Sequence, residues 1–188
     1  MASIYLAGPD VFFPETIRNR IEASKKAILA EHGLEALSPC DNKLDLDNAS
    51  NPAQLIYEAN RALMNQADGL IANLTPFRGP SADAGTIFEL GFMTALGKPV
   101  SAYTTCTTPY NQRVSGGSET DGNGMLVEGF GLCDNLMLDC GIEASGGTFV
   151  SGSLEWRSEG FTPEECFDET IFREATKAIA LKLGTLSE

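Results

Sequence analysis

Histidine is nearly absent from this chain: among 188 residues His32 is the only one. It stands in Ala-Glu-His-Gly-Leu, just before Gly33, where a helix should stop and an imidazole interacts with the terminal carbonyls. So placed, it argues against a Ser-His or Cys-His nucleophilic pair, and acid/base work falls to carboxylates. The cysteines are odd in number. Cys40, Cys106, Cys133, Cys140 and Cys166 form no CxxC and no Cys/His ligand spacing, so neither a disulfide framework nor a metal site is indicated, and they read as reduced thiols.

Positive charge is also short. Lys and Arg number 13 against 26 Asp and Glu, a formal net charge of −13, which repels nucleic-acid backbones and anionic membrane surfaces. A small neutral or cationic ligand stays compatible, since it feels the local site more than the global field. No apolar run approaches the roughly 20 residues that span a bilayer. Met1-Ala-Ser-Ile-Tyr enters a strand-like segment without a basic region, so nothing there directs export and a cytoplasmic location is expected.

What is present alternates regularly. Ser3 to Gly8 (SIYLAG) reads as a short apolar strand. Pro14 to Gly33 reads as an amphipathic helix, with Pro at its start and Gly at its stop. A second strand is expected at Leu34 to Pro39, followed by the loop CDNKLDLDNASN. A second helix follows from about Pro52 to Asn65, capped by Asn51. Asp68 to Leu74 is a buried-type strand, Thr86 to Leu96 a helix stopped by Gly97, and Lys98 to Thr105 a fourth strand. The pattern predicts an α/β single domain over residues 1–188, its parallel sheet covered by helices on both faces. Residues 111–124 are Gly/Ser-rich and read as a mobile loop, a lid or a plain surface insertion. Residues 162–184 read as a C-terminal packing helix opened by a Thr162 to Glu165 capping box.

In parallel sheets of this kind ligands bind beyond the carboxyl ends of the strands. Gly8-Pro9-Asp10, Ser38 to Asn42 and Asn73 to Asp83 all follow strands and should share that rim, beside the start of the helix that carries Glu89. Thr86-Ile-Phe-Glu89 also fits a capping box, in which Glu89 does no more than satisfy backbone amides. Asp83 likewise has a bland reading as a helix cap or turn residue, and Asp68-Gly69 as a turn. Against these stands a chemical reading. Glu89 is flanked by Ile87, Phe88, Leu90 and Phe92, and a carboxylate emerging from apolar surroundings can attack an electron-poor sugar carbon. Tyr5, within the first strand, needs a partner for its hydroxyl, and a carboxylate across the rim would be one.

Three stretches carry a resemblance. IYLAGPDVF, ADGLIANLTPFRGPSADAGTIFELG and VEGFGLCDNLML, collinear over most of Ile4 to Leu138, resemble the nucleoside 2-deoxyribosyltransferases, the protozoan-type members especially. The resemblance implies a flavodoxin-like doubly wound fold and exchange of the base on a 2'-deoxynucleoside, without metal or cofactor. Its implied partners are 2'-deoxynucleosides and free nucleobases. It puts the nucleophile at Glu89, the tyrosine that orients it at Tyr5, and the aspartates that handle base and sugar at Asp68 and Asp83. Asn60 and Arg78 support them, Gly8, Gly79 and Gly85 belong to the same motifs, and Asp41-Asn42 resembles the base-binding loop. Lys43 stands where some bacterial members carry a base-reading glutamine. Asn135 falls on the asparagine lent to a neighbouring subunit, which implies a dimer-based homo-oligomer. Ser115 to Gly124 and the region after Cys140 are poorly covered. Two other readings stay open: an N-glycosidase of deoxynucleosides or their 5'-monophosphates, and a non-catalytic nucleotide-sensing module on the same scaffold.

Overall fold

The computed structural model describes residues 1–186. Five strands form one all-parallel sheet: β1 (Ala2–Ala7), β2 (Leu34–Leu37), β3 (Gly69–Asn73), β4 (Val100–Cys106) and β5 (Thr148–Leu154), in the order β2-β1-β3-β4-β5. Among the described residues six α-helices accompany them: α1 (Glu15–Glu31), α2 (Pro52–Gln66), α3 (Ala84–Ala95), α4 (Tyr110–Ser115), α5 (Leu136–Ala144) and α6 (Glu169–Leu183). The chain moves outward from β1 to β2, then crosses back to place β3 on the other side of β1. That reversal opens a crevice at the carboxyl ends of β1 and β3. The expected flavodoxin-like doubly wound architecture is the one observed.

Side-chain alternation along the strands sorts the core into two layers. Tyr5, Leu70, Ala72 and Ala102 face Met64 of α2, Leu90 and Met93 of α3, and Leu138 and Ile142 of α5. Ile4, Leu6, Ile71 and Tyr103 face the other way, onto Ile28 and Leu29 of α1 and Phe172, Ala175 and Ile179 of α6. Tyr5 therefore belongs to the layer that contains α3, which is how a tyrosine in the first strand comes to meet a glutamate 84 residues later.

Local chemistry sets most of the helix ends. Asn51 caps α2 by accepting from the Gln54 amide at 3.1 Å, and Asp168 caps α6. His32 lies against the Ile28 carbonyl, its Nδ1 2.8 Å away, in the helix-end position expected of it. The C-terminal helix is shorter than 162–184. Thr162 and Glu165 do form the reciprocal capping pair, with the Thr162 amide on Glu165 Oε2 at 2.8 Å and the Glu165 amide on Thr162 Oγ1 at 3.3 Å. They close an isolated turn, and α6 starts only at Glu169, four residues beyond Glu165.

Two further departures concern elements that short polar stretches hid. β5 was not anticipated, because TFVSGSL is a half-exposed edge strand with little apolar alternation. Gly152 within it lies so close to β4 that a Cβ would stand 2.7 Å from the Thr105 carbonyl oxygen, the close approach that a strand glycine permits. Within 111–124, the first turn is helical: α4 buries Arg113, whose Nε donates to the Pro80 carbonyl and whose Nη2 pairs with Asp134 at 3.3 Å. That part is a short helix tied through Arg113 to the loop before α3. No described helix is long and apolar enough to cross a membrane.

Candidate active site

At the crevice, a cavity of about 520 Å³ falls within the range of roughly 300–1,000 Å³ usual for small-molecule sites. One wall is α3 with its approach, Asp83, Gly85, Thr86 and Glu89. The others come from the turn after β1 (Gly8, Val11, Phe12), from Arg18 of α1, from the segment after β2 (Pro39, Cys40, Asn42, Leu44, Leu46), and from Ile56 and Asn60 of α2.

Glu89 sits in the second turn of α3. The fully buried Tyr5 donates its hydroxyl to Glu89 Oε1 at 2.6 Å, and Oε2 has no hydrogen-bond partner among the described residues. Burial is the main influence on this carboxyl and raises it, the Tyr5 hydrogen bond works in the opposite direction, and the neighbouring Asp83 raises it further; the result is about 7. The Tyr5 phenol is pushed well above its usual range, by burial first and by the Glu89 charge second. It therefore stays a donor. Glu89 makes no capping contact. The cap of α3 is Asp83, whose Oδ2 accepts from the Thr86 amide at 2.9 Å and the Thr86 hydroxyl at 3.1 Å. The capping-box reading of Thr86 and Glu89 is thus replaced: Thr86 is the capped residue, and Glu89 turns into the cavity.

Asp83 keeps its bland role and also lines the site. Gly85 follows it closely, since a Cβ there would stand 3.0 Å from Asp83 Oδ2. Gly8 is equally constrained: a Cβ would meet Asp10 Oδ2 at 2.5 Å and Asn73 Cβ at 3.0 Å. Asn42 donates to Asn60 Oδ1 at 3.2 Å, joining the segment after β2 to α2.

Other residues singled out from the sequence do not converge here. Asp68 precedes β3 and so stands at the opposite, amino-terminal edge of the sheet. It accepts from the Ser3 amide at 2.7 Å and the Ser3 hydroxyl at 3.0 Å, and these bonds hold its carboxyl below the usual range. A strand of five residues at about 3.3 Å per residue separates it from the rim, and the expectation that it serves the base is withdrawn. Asp41 pairs with Lys26 at 2.6 Å and faces away. Arg78 and Gly79 do not line the cavity. Arg78 instead adopts a left-handed conformation, φ 57°, with its guanidinium 4.7 Å from the ring centres of both Phe12 and Phe77. It buttresses Phe12, which does line the site. Asn135 caps α5 by accepting from the Met137 amide at 3.0 Å, while its amide nitrogen donates to Glu128 at 2.6 Å. It does not line the cavity of its own chain.

The sequence reading overlooked the apolar lining and two deeper polar supports. Val11, Phe12, Leu44, Leu46 and Ile56 sit in loops or on helix faces where no periodicity flags them. Arg18 lies inside an amphipathic helix, where no motif singles it out. Lys25, fully buried, pairs with Asp10 at 2.8 Å and lies within 6 Å of the Tyr103, Phe167 and Phe172 rings. Burial opposes its charge, yet the Asp10 carboxylate holds Lys25 above its ordinary range. Asp134, also buried, accepts from the Ser81 hydroxyl and the Ala82 amide at 2.6 and 3.0 Å, tethering the loop that leads into α3. No cluster of three or more His, Cys, Asp or Glu side chains suited to a metal ion occurs among the described residues.

The arrangement is a half-buried carboxylate, oriented by a phenol, facing a largely apolar cavity. Comparison with known proteins points the same way. The sequence profile described as nucleoside 2-deoxyribosyltransferase matches residues 4–137. A solved structure described as a 2-desoxiribosyltransferase from Leishmania mexicana is 37% identical, covering 73% of this chain and 85% of its own, with a TM-score of 0.62. The uncharacterized protein C191.05c of Schizosaccharomyces pombe is 30% identical over 97% of this chain and 90% of its own length. A conserved protein from Enterococcus faecalis, 23% identical over 94% of this chain and 98% of its own, shares the fold with a TM-score of 0.58.

Proposed function

The chain belongs to the nucleoside 2-deoxyribosyltransferase family, and from that premise we propose that it moves the 2-deoxyribosyl group between nucleobases, with Glu89 as the nucleophile. The observation that carries this reading is the Tyr5-Glu89 pair. One carboxylate oxygen is held by a phenol at 2.6 Å while the other has no protein partner among the described residues, at the wall of a cavity of about 520 Å³.

In the proposed step, Glu89 Oε2 attacks C1' as the N-glycosidic bond breaks and the bonding pair leaves with the base nitrogen. The negative carboxylate stabilises the oxocarbenium-like transition state and then holds the sugar as an ester. A second base reverses the step, so the configuration at C1' is retained. The departing base takes up a proton. With Asp68 at the far edge of the sheet, Asp83 is the other carboxyl on the cavity wall among the described residues, and it takes over that role together with contact to the sugar. The apolar lining supports transfer over hydrolysis, because water is a poor competitor in a dry pocket. It also disfavours a ribose, whose 2'-hydroxyl would be buried unpaired at a cost of roughly 1–3 kcal/mol.

The test is chromatographic. Purified protein is incubated with 2'-deoxyinosine and adenine, without added phosphate or metal, beside Glu89→Ala. New 2'-deoxyadenosine that is lost in the variant is the expected result. Hypoxanthine without new nucleoside would replace transfer by hydrolysis. No turnover of any deoxynucleoside or its monophosphate would leave a non-catalytic binding module.

A further inference from the structure

Resting on the base-exchange reading, we propose that Arg18 reads the nucleobase and makes 6-oxopurines, hypoxanthine and guanine, the preferred bases over adenine. Arg18 is half-buried on α1 and lines the Glu89 cavity. Its side chain makes no ion pair and no hydrogen bond among the described residues, a state it shares with Arg20, Arg61 and Arg78, but of these four it alone lines the cavity. It stands near Cys40, whose thiol it helps to lower against the dominant opposing effect of burial. A guanidinium left unmatched inside a largely apolar cavity is suited to a ligand acceptor.

The lining indicates which part of the ligand that acceptor belongs to. C1' has to lie at Glu89, and the sugar rests against Asp83 and Gly85 on the same wall. The base then extends from Glu89 toward the rest of the lining, which includes the apolar Phe12, Pro39 and Leu44 and Cys40 with its neighbour Arg18.

An arginine fork fits two adjacent acceptors. A 6-oxopurine offers O6 and N7 side by side, whereas adenine offers N7 beside an amino donor. Adenine would set donor against donor and leave the guanidinium unmatched. The Asn42-Asn60 pair keeps Asn42 Oδ1 and Asn60 Nδ2 free of hydrogen bonds among the described residues, so a donor and an acceptor remain for the rest of the base.

The experiment compares wild type with Arg18→Met and Arg18→Lys in two assays. In the first, kcat/KM is measured for 2'-deoxyinosine and 2'-deoxyadenosine as donors to one common acceptor base. Wild type should favour deoxyinosine by roughly ten- to a hundred-fold. Arg18→Met should lose that preference, its kcat/KM falling more on deoxyinosine than on deoxyadenosine, and Arg18→Lys should restore part of it. In the second assay, binding of free hypoxanthine and adenine is followed calorimetrically, which needs no turnover. Only hypoxanthine should weaken in Arg18→Met. Base exchange with an unchanged preference in Arg18→Met overturns the proposal while leaving the exchange reading intact. A preference for deoxynucleoside 5'-monophosphates that Arg18→Met abolishes also overturns it, making Arg18 an anion anchor. If neither turnover nor base exchange is seen but hypoxanthine still binds through Arg18, the exchange reading fails and base recognition stands. If neither base binds wild type, the proposal fails.

Discussion

On the proposed mechanism, burial sets the pH at which Glu89 works. Its carboxyl is raised from 4.5 to about 7, and only the ionised form is nucleophilic. The rate, as kcat/KM, should therefore rise with pH to a limb near 7 and level off above it. Tyr5→Phe removes the one contact that lowers this carboxyl. The limb should move to higher pH and the rate below it fall by roughly tenfold or more; pH–rate profiles of the two proteins decide, and an unmoved limb would reduce Tyr5 to packing. The same shift acts on stability with a definite sign. Between 4.5 and about 7 the folded chain binds more protons at this site than the unfolded chain does. Stability is thus full below 4.5 and is lost as pH rises through 7, by on the order of 3 kcal/mol. Glu89→Gln should accordingly melt higher than wild type at pH 8 and alike at pH 4, though inactive.

Elements around the cavity are held by buried charge rather than by their own propensity. The turn Pro9–Phe12 carries Val11 and Phe12 into the site, and Asp10 within it is tied to Lys25 of α1. Lys25→Met leaves Asp10 charged and uncompensated, which should cost on the order of 3–5 kcal/mol in urea unfolding and raise KM as Phe12 shifts. Adding Asp10→Asn should recover much of the stability; equal loss in single and double variants would show that the two groups are not coupled. The loop before α3 is held likewise, by Asp134 and Arg113. An interior Lys and an interior Asp give no periodic signal in a sequence, and so both ties went unread there.

At the scale of the whole molecule, the net charge of −13 suits neutral substrates, and the cavity opens at the sheet's switch point. Asn135 lies outside its own chain's cavity, on a corner where Leu126, Phe130 and Met137 are exposed. We propose that it completes the site of a neighbouring subunit. Glu89→Ala and Asn135→Ala chains, each inactive alone, should regain activity when mixed under subunit exchange, and sedimentation should show a multiple of the chain mass. Asn135→Ala forfeits a helix cap worth about 1 kcal/mol, so it should stay folded. A mixture that stays inactive would make Asn135 a cap and nothing more.

Periodicity in the sequence determined the alternation of strands and helices. Composition disfavoured histidine-based chemistry, and the D-x-G-T-x-x-E core with its flanks pointed to the family. These features are local, so a linear reading reaches them. Only the tertiary structure decided which carboxylates share an edge. Asp68 and Asn73 lie at opposite ends of one five-residue strand, and strand direction in the sheet sends Asp68 away from Glu89. It also decided that Tyr5, by its parity along β1, faces α3, and that Arg18 of α1 meets a cavity. Those assignments depend on packing between segments far apart in the chain, where spacing along the sequence carries no information.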